Sequence, residues 1–146
     1  MRLFLDCEFN GFQGDLISMA LVSEDGREWY EAVPCAEPVP WVAEHVMPIL
    51  GKPPLEDCGA LSRSLGHFLA QFQDVQIIAD WPEDISLFCQ ALITGPGSRI
   101  STPRLSFAII PIESSSDVPH NALEDARGIR RAVQPHAPIS RSSTTR

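Results

Sequence analysis

The sequence is short of positive charge. Eleven Lys and Arg stand against 19 Asp and Glu, for a net charge of −8. A chain this acidic is not built to coat long nucleic acid through general electrostatics. That argument does not reach a protein that grips only a chain end. The deficit is also uneven: residues 1–98 hold 15 acids and 4 bases, whereas residues 99–146 hold 4 acids and 7 bases. Long apolar runs are missing too; none approaches the ~18 residues of a membrane span. The first residues carry an Arg and then an acid at position 6, which does not suit a signal peptide, so no membrane partner is expected. Four cysteines occur with no C-x-x-C pair, which argues against zinc and a disulfide framework and for a reduced, cytoplasmic setting. There is no internal repeat. The rest is ordinary: 146 residues, 44% hydrophobic and 21% charged, suit one domain with a real core.

Within that composition the opening stretch LFLDCEF stands out. It reads as a buried first strand, yet it carries Asp6 and Glu8. Strand side chains alternate faces, so the two acids share a face and Cys7 takes the other. Adjacent carboxylates on a buried strand repel and are costly to desolvate, and a cation would relieve both costs. The alternative is that the strand ends at Leu5 and both acids sit in solvent.

Further along, residues 17–23 and 28–33 read as a hairpin turned at Asp25-Gly26. VPWVAEHVMPIL suits a short helix and GALSRSLGHFLAQF a longer one, with Leu61, Leu65, Phe68 and Leu69 at helical spacing. DVQIIAD is a short strand, and WPEDISLFCQALI a helix with Pro82 at its first position. TGPGSRISTPR reads as a loop, LSFAIIPI as a strand and HNALEDARGIRRAV as a final helix. Residues 1–134 form the expected domain, and 135–146 have the composition of a disordered tail. The order β-β-β-α-α-β-α-β-α predicts an α/β fold: a mixed sheet, antiparallel over its first three strands and then parallel, flanked by helices. Ligands in such folds gather at the carboxyl ends of the parallel strands, where Asp6, Glu8 and Asp80 lie.

The final helix adds a second signal. Asn121 and Glu124 fit a capping box, which places His120 and Asp125 at the two positions that normally touch across a helix entrance. Taken alone, a surface His–Asp hydrogen bond at a helix start is the commoner explanation. In the helix after DVQIIAD, Trp81 becomes the cap and Asp84 falls in the first turn, where an acid can also simply complement the helix dipole.

Together these segments resemble the His-containing DEDDh branch of the DEDD 3′–5′ exonucleases, on the ribonuclease H-like fold. Asp6-Cys7-Glu8 matches the D-x-E motif, and His120 to Asp125 the H-x-x-x-x-D motif. By the family's spacing ADWPEDISLF puts Asp84 in the metal-ligand role and Asp80 where Asn is usual. The chain is most similar to short bacterial exoribonuclease-like members. It departs from the common DxExTG in having Phe9 for Thr.

The resemblance implies a metal-dependent exonuclease that releases 5′-mononucleotides from single-stranded RNA or DNA 3′ ends, with RNA the expected substrate. Asp6, Glu8, Asp84 and Asp125 would hold two Mg²⁺ or Mn²⁺ ions, hard cations suited to oxygen ligands. His120 would be the general base. The backbone of Phe9, Asn10 and Gly11 would lie beside the terminal nucleotide, with Asp80 close by. Phe9, Phe12 or Trp81 could stack on its base, although an aromatic more often fills a core. Arg127, Arg130 and Arg131 lie around the last helix from Asp125, on a solvated face. Arg99 and Arg104, in the loop before the last strand, are the candidates for phosphate contact. A homodimer is common among small relatives and could bring the basic half of a partner to the groove. Two other readings stay open: an inactive interaction module on the same fold, and a Ser hydrolase using His120 and Asp125. Against the second, there is no G-x-S-x-G elbow.

Overall fold

The structure is a computed structural model that describes residues 1–113 and 116–134; the expected tail at 135–146 lies outside them. Among the described residues are seven strands and four α-helices, in the expected order but for two extra short strands. The strands are β1 (Arg2–Phe9), β2 (Leu16–Ser23), β3 (Glu28–Ala32), β4 (Asp74–Ala79), β5 (Ile93–Gly95), β6 (Ser98–Arg99) and β7 (Arg104–Ile109). The helices are α1 (Pro40–His45), α2 (Cys58–Leu69), α3 (Pro82–Leu92) and α4 (Ala122–Val133).

The main sheet has the order β3-β2-β1-β4-β7. β1–β2 and β2–β3 pair antiparallel, whereas β1–β4 and β4–β7 pair parallel. The hairpin turns at Gly26, whose φ of 95° any side chain would strain. β1 lies at the centre of the sheet, and its alternation sorts the core. Leu3, Leu5 and Cys7 face α2 and α3, packing with Leu61, Leu65, Leu69 and Phe88. Phe4 faces the other way, against Ile78 and Ile129 of α4. Each such large side chain, fully buried, contributes about 1.5–3 kcal/mol over leaving it exposed.

Helix ends follow their sequence signals. Asp57 caps α2 by accepting from the Ala60 N–H at 2.8 Å, and Pro82 opens α3 after Trp81. Asn121 caps α4 by accepting from the Glu124 N–H at 3.1 Å. The capping box is only half formed, because the Glu124 carboxylate turns to Arg127 instead.

Two expectations are corrected. The stretch read as a loop at 94–104 contains the small β5–β6 ribbon, with Ile93 opposite Arg99. Nor is the basic face of α4 simply solvated: Arg127 holds Glu28 of β3 through two hydrogen bonds of 2.7 and 2.8 Å, clasping helix to sheet. Arg130 donates to the Glu24 carbonyl, and Arg131 pairs with Asp117. Among the described residues, no helix is long and apolar enough to cross a membrane.

Candidate metal centre

β1 does not stop at Leu5. It runs to Phe9, so Asp6 and Glu8 are carried on the strand and share the face of Phe4, which α4 covers. Asp80 follows the last residue of β4, and Asp84 is buried in the first turn of α3. Asp125 comes from the first turn of α4. All five converge at the carboxyl ends of the parallel strands. Both helices also point their N-termini there, where the dipole stabilises an acid by about 0.3–1 kcal/mol.

The acids form two overlapping groups. Asp6, Glu8 and Asp125 each offer an oxygen within 4.8 Å of the others, and so do Asp6, Asp80 and Asp84. Asp6 belongs to both. Its Oδ2 is sealed from solvent and has no hydrogen-bond partner. Burial, then the charges of Asp84, Glu8, Asp125 and Asp80, push the Asp6 carboxyl well above its ordinary range. Burial and the Asp125 and Asp84 charges push Glu8 up to about 8. Asp84 is likewise pushed up to about 8, mainly by burial and then by Asp80, against a hydrogen bond from the Cys7 main chain. Asp80 is raised chiefly by burial. Such a set resists being charged unless cations neutralise it, and all-oxygen donors suit Mg²⁺ or Mn²⁺. The residues fit two divalent ions.

His120 and Asp125 do meet, but through the main chain: the His120 N–H donates to Asp125 Oδ2 at 3.1 Å. The ring is exposed and stands edge-on to Trp41, with centroids 4.9 Å apart. The φ of His120 is 69°, a left-handed conformation costing a non-glycine residue about 1–2 kcal/mol. A strap pins this turn, since Asn121 Nδ2 donates to the Ile49 carbonyl and Tyr30 Oη to that of Leu50.

The residues expected beside the substrate divide. Phe9 packs against the main core, as an aromatic commonly does. Asn10 is spent on structure: its amide donates to the Glu37 carbonyl and accepts from the Val39 N–H. Gly11 lies against Val39, where a Cβ would come within 3.4 Å of Cγ2. Together they hold the segment that leads into α1 and Trp41. Phe12 and Trp81 are not core residues; they are 86% and 56% exposed. Trp81 and Asp80 line a cleft of about 490 Å³ with Pro111, Ile112 and Glu113. A larger hollow of about 1160 Å³ lies between α2 and α3, outside the acid cluster.

Arg99 and Arg104 are not brought to the acids within one chain. Arg104 pairs in register with Asp74 at the start of β4, so the length of that strand separates it from Asp80. At about 3.3 Å per residue that is about 20 Å. Arg99 lies on the ribbon beyond the far end of α3. Parallel strands put all their starts at one end of the sheet and the acids at the other.

Trp41 was not singled out by the sequence reasoning. It is 50% exposed, touches His120 and stacks on His45 at 4.6 Å. The signal was present, because residues 41 and 45 share a helix face.

The roles of Asp84 and Asp80 can be separated by titration. Asp84→Asn is expected to weaken Mn²⁺ binding more than Asp80→Asn, because Asp84 is the more deeply buried and better anchored carboxylate. Calorimetry on both variants checks this, and the reverse order would reassign the ligand. No protein-family model matches the chain, and no curated protein matches it significantly.

Proposed function

We propose that the protein is a metal-dependent 3′–5′ exonuclease of the DEDDh type on a ribonuclease H-like fold, acting on single-stranded ends, with RNA the expected substrate. The observation that carries this reading is the pair of carboxylate groups hinged on Asp6. Asp6, Glu8 and Asp125 would hold one cation, and Asp6, Asp80 and Asp84 the other. Bound there, Mg²⁺ or Mn²⁺ supplies Lewis-acid stabilisation of the charge that develops at the scissile phosphate.

The chain's own groups do the rest. His120 takes a proton from the attacking water, from an exposed ring at the mouth of the site. Trp41 limits the ring's movement on one side. Trp41, Trp81 and Phe12 present aromatic surface to solvent and suit stacking on a nucleobase, an interaction tolerant of sequence. The cleft beside Asp80 offers room for the terminal nucleotide. An inactive interaction module on this fold has less support, since every acid of the motif set is present.

Labelled single-stranded RNA and DNA, incubated with Mg²⁺, Mn²⁺ or EDTA, test the proposal. Stepwise shortening from the 3′ end is expected with either metal and none in EDTA. Full activity in EDTA would sink it. His120→Ala is expected to keep metal binding but turn over about 10²–10⁴-fold more slowly, as befits loss of a general base.

A further inference from the structure

β2 buries two serines, and only one of them is provided for. Ser23, at the end of the strand, donates to Asp25 and accepts from the Arg27 N–H at 2.8 Å. Ser18 is equally inaccessible, yet its Oγ makes no hydrogen bond of good geometry among the described residues. The Tyr30 hydroxyl lies near it but spends its own hydrogen on the Leu50 carbonyl, at 2.7 Å. A buried hydroxyl left in this state lowers stability, and few native proteins keep one without a use.

Register shows what stands beside it. Ser18 is opposite Glu8 in the β1–β2 ladder, in the last regular pair before the irregularity at Phe9. Residues directly opposite share a sheet face, with Cβ atoms about 4.5–5.5 Å apart. Ser18 therefore lies on the face that holds Asp6, Glu8 and the docked α4. The next two positions of β2 on that face are apolar: Ala20 opposite Asp6, and Val22 opposite Phe4. Both cluster with Ala122 and Ala126 of α4. The hydroxyl interrupts this apolar row beside a carboxylate and nowhere else. No Lys or Arg among the described residues forms a salt bridge with Glu8. Its side-chain hydrogen bond is to Asp125, another acid.

We propose that Ser18 is a positioning residue for Glu8, its hydroxyl donating to the Glu8 carboxylate when that group turns to hold a cation. In the metal-free protein Glu8 bonds to Asp125 instead, and Ser18 is left unpaired. A carboxylate that gives one oxygen to a metal keeps the other free to accept, and a donor at that second oxygen fixes its direction. β2 is paired on both sides, by β1 and β3, so the donor itself is held still. Ser18 touches neither metal nor substrate and acts only through Glu8. The inference rests on reading the acid cluster as a metal centre, and not on which phosphodiester is cut.

Calorimetric titration of the full chain with Mn²⁺ tests this without any assay of activity. Ser18→Ala is expected to weaken Mn²⁺ binding about 10–100-fold, the usual effect of removing a group that orients a ligand. The same variant is expected to melt no lower than the wild type in EDTA, because the hydroxyl it loses has no partner there. A serine kept only for packing would show the reverse, a lower Tm with unchanged affinity. Ser18→Thr and Ser18→Val have nearly the same shape, so strain from the added volume is common to both. The Thr variant keeps the hydroxyl and is expected to bind Mn²⁺ about 10-fold more tightly than the Val variant. Undiminished affinity in Ser18→Ala would overturn the proposal and assign the hydroxyl to Tyr30. Equal affinity in the Thr and Val variants would overturn it as well, and so would a fall in Tm that accompanies the loss of affinity. A wild type that binds no Mn²⁺ would remove the metal centre and the role of Ser18 with it. A wild type that binds Mn²⁺ but shortens no nucleic acid would end the exonuclease reading and leave the role of Ser18 standing.

Discussion

Asp6→Asn is expected to be more stable than the wild type in EDTA and to lose catalysis almost completely. Asp6 carries an oxygen with no partner, buried among four other acids that all oppose its charge. Asparagine keeps the shape and removes the charge. Relief of about 1 kcal/mol corresponds to a rise in Tm of about 4 °C in a domain of this size. The same change removes the one carboxylate common to both acid groups. Activity should fall about 10³-fold, the several kcal/mol that metal ions supply to a developing phosphate charge. The contrast is the diagnostic, because a substitution that merely damaged the fold would lower Tm and activity together. Thermal unfolding with and without Mn²⁺, beside a cleavage assay, reads both. A lower Tm for Asp6→Asn in EDTA would mean that this carboxylate is not strained in the metal-free protein.

The second large effect is on pH dependence. Glu8 and Asp84 are held near 8 in the folded protein, against about 4.5 and 3.8 when unfolded. Between those limits the native state keeps protons that the unfolded state releases. Stability of the metal-free protein must therefore fall as pH rises from about 4.5 to about 8, and level off above. The acids whose pKa is lowered, Glu24, Glu28 and Asp25, act in the opposite sense, losing their contribution as pH falls below about 4.5. An optimum near pH 5 follows in EDTA. Each pKa unit is about 1.4 kcal/mol. Allowing about two units across the cluster, the loss by pH 8 is about 3 kcal/mol, or about 10 °C in Tm. Mg²⁺ or Mn²⁺ should reverse the trend, because binding displaces the protons. The check is a set of melting curves from pH 4 to 9, with calorimetry at pH 7 to count released protons. A Tm that rises between pH 5 and 8 in EDTA would contradict the electrostatics of the site.

Much of this site was legible because local rules and tertiary placement agree. The alternation of β1 put Asp6 and Glu8 on one face whatever packed against it. Pro82 and Asn121 fixed the first turns of α3 and α4, and with them the positions of Asp84 and Asp125. What escaped depends on contacts that no local pattern encodes. The His120 ring faces Trp41 rather than Asp125, since a left-handed turn and a strap at Ile49, 72 residues away in sequence, set its direction. Asn10 is occupied by the segment before α1, a contact that sequence spacing does not announce. Arg104 was misplaced for a different reason. The parallel order of the strands sets the start of β7 far from the end of β1, which the reading of Arg104 as part of a loop does not capture. The sequence leaves open whether Asp80 belongs to the metal site, and the structure groups it with Asp84 and Asp6.

The clasp of α4 onto the sheet has a consequence for how the molecule is made. Asp6 and Glu8 are synthesised first, whereas Asp125 arrives with the last described helix, 117 positions after Glu8. Domains emerge from synthesis N-terminal part first, and β1 cannot gain its parallel neighbour β4 until Asp74–Ala79 has been made. Before α4 docks, Glu8 and Asp6 have neither the helix that buries them nor the third carboxylate of their group. A chain without α4 therefore has the Asp6, Asp80 and Asp84 group but not the one that Asp125 completes. Only the Asp6, Glu8 and Asp125 group waits for α4, and it closes when that helix packs on the strand with Arg127 on Glu28.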